Sequence, residues 1–242
     1  MKAIILAAGY GRRMRPLTSD CPKTLLRIGD TTIIERIVDS LRKHAITDII
    51  VVTGYQAEKL TSFLTSRYPE IRFTFVHNER YATTNNIHSL YLAISSVAID
   101  DDIILIESDL LYEDAVLDKI VTSRYPNVAL VDKYRSGMDG TVVTVDHGII
   151  TSIIPPHLQT GDFDFSDKYK TLNIYRFSRE FCRDVFFKLL SFYASAIDNN
   201  CYYELVLGIL IYLQRENIYA EILEGEHWSE LDDPNDLRIT QF

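Results

Sequence analysis

The sequence predicts an α/β protein: a mostly parallel sheet with helices on both faces, carrying a small antiparallel lid. Three observations lead there. Short apolar runs alternate with segments of helical period over the first 131 residues, the first run ends in a glycine-containing loop, and the pattern breaks into short β segments and turns after Val131.

Residues 2–6, KAIIL, form an apolar run ending in small residues and glycine, which predicts a buried strand feeding a loop. Residues 31–44 put Ile33, Ile34, Ile37, Val38 and Leu41 on one helical face, and Thr32 with Glu35 has the spacing of a capping box. A strand at 48–53, a helix around 60–64, a strand at 71–76 and a helix over about 86–97 continue the alternation. A strand at 102–107, a helix around 116–121 and a strand at 127–131 extend it, as a parallel sheet requires. Beyond that, residues 141–154 read as two short β segments joined at Asp146, His147 and Gly148, with turns through 155–167 and a strand at 171–177. Helices at roughly 178–197 and 201–215, a strand at 219–223 and a short helix from Pro234 close the chain. The expected organisation is a single domain over 1–242 with an inserted β-rich lid at about 132–178.

With 242 residues, 47% of them hydrophobic, the chain supports one well-buried core. No apolar run reaches the length of a membrane span, and Met1 leads straight into a strand, so neither a span nor a signal peptide is expected. Cys21, Cys182 and Cys201 have no disulfide or zinc spacing, which suits a reducing cytoplasm. A formal charge of −9 argues against general nucleic-acid binding. The charge is uneven, however: residues 1–30 hold six cations against two carboxylates, a local +4 that leaves −13 elsewhere. Residues 221–236 are the opposite extreme, with seven acids and no Lys or Arg, so a cation could bridge the two segments where they meet.

Ligands of open α/β sheets sit at the carboxyl ends of strands, so the loop after residues 2–6 is the first candidate. Gly9 and Gly11 permit close backbone approach, and Arg12, Arg13, Arg15 and Lys23 follow along one proline-punctuated loop. A dinucleotide fingerprint is excluded by Met14 where a third glycine belongs, and a P-loop by the missing Gly-Lys-Ser/Thr ending. Asp109 follows an apolar strand, where a carboxylate could hold Mg²⁺ or cap a helix, and Asp232 follows another short one.

Residues 6–26, LAAGYGRRMRPLTSDCPKTLL, resemble the signature loop of the sugar-1-phosphate nucleotidyltransferase superfamily, with Arg12 where Ser or Thr is usual. The resemblance implies the Rossmann-like nucleotide-diphospho-sugar transferase fold. It assigns nucleotide binding to Leu6, Ala7, Ala8, Gly9, Gly11, Arg12, Asn78, Thr84, Asn85 and Ser108, with Ala7, Ala8 and Gly9 lining the base. Arg13 would hold the β and γ phosphates and Lys23 the phosphates at the reacting centre, the two catalytic positions. Asp109 and Asp232 would hold Mg²⁺ together, while Asp233 caps the last helix.

The stretches 78–93, 107–113, 169–178, 202–207 and 228–237 resemble the cytidylyltransferases that activate phosphocholine or phosphonates such as 2-aminoethylphosphonate. That branch implies CTP as nucleotide and an acceptor site drawn from Asn86, Lys133, Asp139, Lys170, Asn173, Tyr175, Tyr203, Glu204 and Glu230. Several of these have a plainer reading. Asn85 and Asn86 could simply start a helix, Asp139 could serve a turn before Gly140, and Lys133 and Lys170 could be surface charges. Tyr175, Tyr202, Tyr203 and Trp228 could box a cationic head group, but most of 15 tyrosines must be ordinary. The rival functions are a sugar-1-phosphate nucleotidyltransferase using UTP, GTP or dTTP, and a regulatory nucleotide-binding subunit without turnover. Neither a nucleic-acid nor a membrane partner is expected; a homodimer or a fusion to a further enzyme domain stays open.

Overall fold

The computed structural model describes residues 1–240. Strands β1 (Lys2–Ala7), β2 (Arg27–Ile28) and β3 (Thr31–Thr32) precede α1 (Ile33–Lys43), then β4 (Asp48–Thr53), α2 (Ala57–Arg67), β5 (Arg72–His77) and α3 (Asn86–Ser96) follow. Next come β6 (Ile103–Glu107), β7 (Leu110–Tyr112), α4 (Asp114–Thr122), β8 (Val128–Lys133), β9 (Val142–Asp146), β10 (Ile149–Ile154) and β11 (Lys168–Phe177). The chain ends through α5 (Arg179–Phe181), α6 (Phe187–Ala196), α7 (Glu204–Tyr212), β12 (Tyr219–Ile222), β13 (Trp228–Glu230) and α8 (Asp236–Ile239). A π-helical segment, Cys182–Phe186, joins α5 to α6.

The expected capping box is formed: Thr32 Oγ1 accepts from the Glu35 amide at 3.2 Å, and Glu35 Oε2 accepts from the Thr32 amide at 2.8 Å. The main sheet runs β5-β4-β1-β6-β11-β8-β12-β10-β9. Strands β5, β4, β1 and β6 are parallel, while β11 runs antiparallel between β6 and β8. The segment 132–178 thus supplies both the β9–β10 hairpin and, through β11, a strand inside the main sheet. The N-terminal half of β11 also pairs with β9. The parallel strands are buried on both faces, so their side chains feed two cores. Ile5, Val51 and Ile104 pack with Ile37, Leu64 and Val116 of α1, α2 and α4. Ile4, Val52 and Leu105 pack with Leu90, Leu190 and Val206 of α3, α6 and α7. Among the described residues no helix is long and apolar enough to cross a membrane.

Candidate active site

The register of the parallel strands sets the site. Leu6 of β1 pairs with Glu107 of β6, so the ends of these two strands open onto one cavity of about 650 Å³, while Ala7 pairs with Thr53 of β4 beside it. From Ala8 the chain turns away from the sheet. Gly11 lies at φ +57°, where a Cβ would stand 3.1 Å from Thr18 Cγ2 and 3.2 Å from Lys23 Cβ, and Thr18 Oγ1 donates to the Gly11 carbonyl at 2.7 Å. Around Gly9 an added Cβ would meet nothing within 4 Å, which leaves room for a ligand. Gly54 is tighter: a Cβ there would lie 2.6 Å from the Ala8 carbonyl oxygen, so glycine lets the end of β4 pack against the loop. The guanidinium of Arg12 lies 5.0 Å from the Tyr10 ring centroid, and Tyr10 in turn stacks on Tyr55 at 4.7 Å.

Cations from this loop meet carboxylates from two distant segments. Lys23 Nζ lies 3.3 Å from Asp109 Oδ2 and 3.2 Å from Asp232 Oδ1, and Arg13 reaches the same Asp232 oxygen at 2.9 Å and Asp139 at 4.0 Å. Burial works against the charge on Lys23, but Asp109 and Asp232 outweigh it and hold its pKa above the ordinary lysine value. The carboxylates are brought together by a two-stranded ribbon in which Trp228, Ser229 and Glu230 pair with Tyr112, Leu111 and Leu110, continued by the Leu231 amide donating to the Asp109 carbonyl at 2.9 Å. Oxygens of Asp139, Glu230 and Asp232 lie within 4.8 Å of one another. This set of hard oxygen donors, with an ammonium already seated between Asp109 and Asp232, fits a divalent cation.

The other side of the cavity is acidic. Asn86 Nδ2 donates to Glu107 Oε1 at 3.0 Å and Glu204 Oε2 at 3.3 Å, while Asn86 Oδ1 accepts from the Tyr203 amide at 2.9 Å. Burial first, then the charges of Asp109 and Glu204, push Glu107 well above the usual carboxylic acid range, and burial also raises Glu204. Lys170, 1% exposed, donates to Glu230 Oε1 and to the Thr171 carbonyl, both at 2.7 Å. Burial pushes Glu230 up to about 7 despite that ammonium. Asn173, at φ +57°, sits at the irregularity between the two halves of β11.

All the expected site residues line this cavity except Lys133, Tyr175 and Tyr203. Lys133 instead donates to the Ser166 carbonyl at 2.9 Å on the exposed surface. Tyr175 and Tyr203 are core residues whose rings meet edge to face at 5.8 Å. Tyr175 follows the irregularity at Asn173, which breaks the alternation of β11, and Tyr203 immediately precedes α7; its neighbour Tyr202 faces the cavity instead. Trp228 is tied elsewhere, its indole donating to Asp132 at 2.7 Å. Two expected nucleotide contacts are also structural anchors. Asn78, 1% exposed, bonds Thr84 at 3.2 Å and Ser89 at 3.1 Å, and Asn85 caps α3 through the Asn86 amide at 2.9 Å. Asp233 accepts from the Asn235 amide at 2.7 Å and the Asp236 amide at 3.3 Å, at the start of the last helix. Sequence reasoning gave no role to Glu107, Tyr81, Ser89 or Gly54. The one available signal was for Glu107, a charge ending an otherwise apolar strand.

The fold and this cavity define a nucleotide-handling α/β enzyme scaffold, and the comparison with known families agrees. The chain belongs to the nucleotidyl transferase family, whose model matches residues 2–131. A CMP-5'-(3-aminopropyl)phosphonate synthase of Streptomyces rubellomurinus is 26% identical over 100% of this chain, which spans only 38% of that protein's length. A choline-phosphate cytidylyltransferase of Haemophilus influenzae is 29% identical over 98% of this chain and 94% of its own length. Among solved structures, a CTP:phosphocholine cytidylyltransferase from Streptococcus pneumoniae superposes with a TM-score of 0.77 at 25% identity, covering 98% of this chain and 96% of that one. A UDP-glucose pyrophosphorylase structure shares the fold at TM-score 0.79 and 18% identity, covering 98% and 95%.

Proposed function

We propose that this chain is a Mg²⁺-dependent cytidylyltransferase, moving CMP from CTP to a small phosphonate or phosphomonoester of the 2-aminoethylphosphonate or phosphocholine type. The observation that carries this reading is the convergence of Lys23 and Arg13 on Asp109 and Asp232 beside a cavity walled by the Leu6–Gly11 backbone. Its relatives' cytidylyl chemistry supports the choice of CTP.

An oxygen of the acceptor attacks the α-phosphorus of CTP in line; the new P–O bond forms as the bond to the β-phosphate breaks, and pyrophosphate leaves. That oxygen is anionic at neutral pH, so no general base is needed. The difficulty is bringing two anions together, and catalysis is positioning plus charge neutralisation. Arg13, a planar fork, suits the leaving phosphates, and Lys23 suits the reacting centre. Asp109 and Asp232 would hold Mg²⁺, which when bound supplies charge neutralisation at the phosphates. The segment from about 132 to 178 frames the acceptor side through Asp139, Lys170 and Asn173.

The test incubates the protein with Mg²⁺, each NTP in turn and a panel of phosphocholine, 2-aminoethylphosphonate and glucose 1-phosphate, reading pyrophosphate release. Turnover with CTP and an amine-bearing acceptor is expected. Turnover only with UTP, GTP or dTTP and the sugar phosphate overturns the reading.

A further inference from the structure

From the hydrogen-bond polarity of the uncharged part of the cavity wall, we infer that Ser89 reads the nucleobase: its hydroxyl donates to N3 of cytosine and so selects CTP over UTP. The inference rests on the cytidylyl-transfer reading and deepens it.

Lys23, Arg13 and Asp232 meet around Asp109, just past the end of β6, where they suit phosphates and a metal. Asn78, Thr84 and Ser89 line the same cavity where β5 has ended and α3 begins, and none of them carries a charge. In the strand order β5-β4-β1-β6, β5 is three spacings, roughly 14 Å, from β6. A nucleotide whose phosphates face the cations therefore lays its base against this neutral wall.

The polarity of the wall is fixed one bond at a time. Asn78 Oδ1 accepts from the Arg80 amide at 2.9 Å, so Nδ2 faces the other way and donates to Thr84 Oγ1 at 3.2 Å and to Ser89 Oγ at 3.1 Å. Thr84 passes its own proton to the Arg80 carbonyl at 2.8 Å. Ser89 is only 5% exposed, yet its hydroxyl donates to no group among the described residues. Because Asn78 turns N–H groups toward it, the Ser89 proton has to point elsewhere, and the side that is open is the cavity. A buried hydroxyl without an acceptor is costly, and a ligand can supply the missing one.

The two pyrimidines differ at this point. N3 of cytosine is a lone pair and accepts the Ser89 proton. N3 of uracil carries a hydrogen, which would either oppose the hydroxyl proton or take the second lone pair of Oγ and leave that proton unpaired in a buried site. A site built on a hydrogen bond rejects an analogue that leaves its buried group unpaired.

The test compares CTP with UTP in Mg²⁺, using whichever acceptor turns over. In the parent, kcat/KM for CTP is expected to exceed that for UTP by at least about 10-fold. Ser89→Ala removes one oxygen and is expected to lower that ratio about 10-fold by raising KM for CTP, with KM for the acceptor unchanged. Asn78→Asp offers Ser89 an acceptor in place of a donor, turns its proton away from the cavity, and is expected to move the preference toward UTP. An unchanged ratio in folded Ser89→Ala overturns the inference while leaving cytidylyl transfer standing; should that variant fail to fold, an unchanged ratio in Asn78→Asp does the same. A parent that prefers UTP overturns both. Absence of turnover with every nucleotide sinks the cytidylyl-transfer reading, and calorimetric titration of CTP and UTP then decides the inference separately: a CTP preference that Ser89→Ala abolishes supports it, and equal or no binding by the parent, or a preference that the variant keeps, overturns it.

Discussion

Replacing Lys23 with methionine keeps the length of the side chain and removes its ammonium. Asp109 and Asp232, each within 3.3 Å of that nitrogen, then face each other, and Arg13 neutralises only Asp232. Breaking a buried ion pair costs about 3–5 kcal/mol. Exposures of 35% and 26% for the two carboxylates admit solvent screening, which brings the expected loss to about 2–3 kcal/mol. If the proposed divalent cation binds the same oxygens, adding Mg²⁺ is expected to narrow the gap in Tm between variant and parent. Turnover is not restored with it, since a fixed cation at the reaction centre is gone, and is expected to fall at least about 100-fold. Thermal unfolding in EDTA and in Mg²⁺, followed by pyrophosphate release from CTP, reads both effects. A folded Lys23→Met protein with the parental Tm in EDTA, or with near-parental turnover, refutes the reasoning.

Asp109→Asn is expected to lower turnover by at least about 100-fold and to weaken stabilisation by Mg²⁺ in a thermal shift measurement. Gly54→Ala places a methyl group against the Ala8 carbonyl and Tyr81, so a stability loss of about 1–3 kcal/mol and a raised KM for CTP are expected from denaturant unfolding and kinetics. Glu226, bonded to Lys119 at 2.9 Å, has its pKa lowered to about 2, chiefly by that hydrogen bond. A carboxylate with a depressed folded pKa adds stability above its unfolded value of about 4.5 and loses it as pH falls toward about 2. Glu226→Gln is therefore expected to cost about 1 kcal/mol at pH 7, after allowing for screening, and progressively less below about pH 4.5 in urea titrations.

Much of this protein is legible along the chain. The apolar run located β4 at 48–53, because burial on both faces of a parallel sheet leaves a strong local pattern, and the turn residues His147 and Gly148, both at positive φ, marked the β9–β10 hairpin. Thr32 and Glu35 announced α1 because a capping box is a contact over three residues. The cationic half of the site was equally local, since Leu6 to Lys23 is one continuous segment. The misplaced residues are those whose direction depends on phase. Tyr202 and Tyr203 differ by one position, and only the entry angle into α7 decides which of them faces the cavity. The strands β7 and β13 are three residues each, too short for a period to be read.

The sequence by itself determined the layered α/β fold, the cationic loop and the acidic segment that could meet it, because each is written in neighbouring residues. Only the tertiary structure decided that Lys23 sits between Asp109 and Asp232 and that Asn86 spans Glu107 and Glu204. Those contacts join residues 21 to 209 positions apart on different elements, and the tertiary packing that creates them leaves no local trace in composition or period.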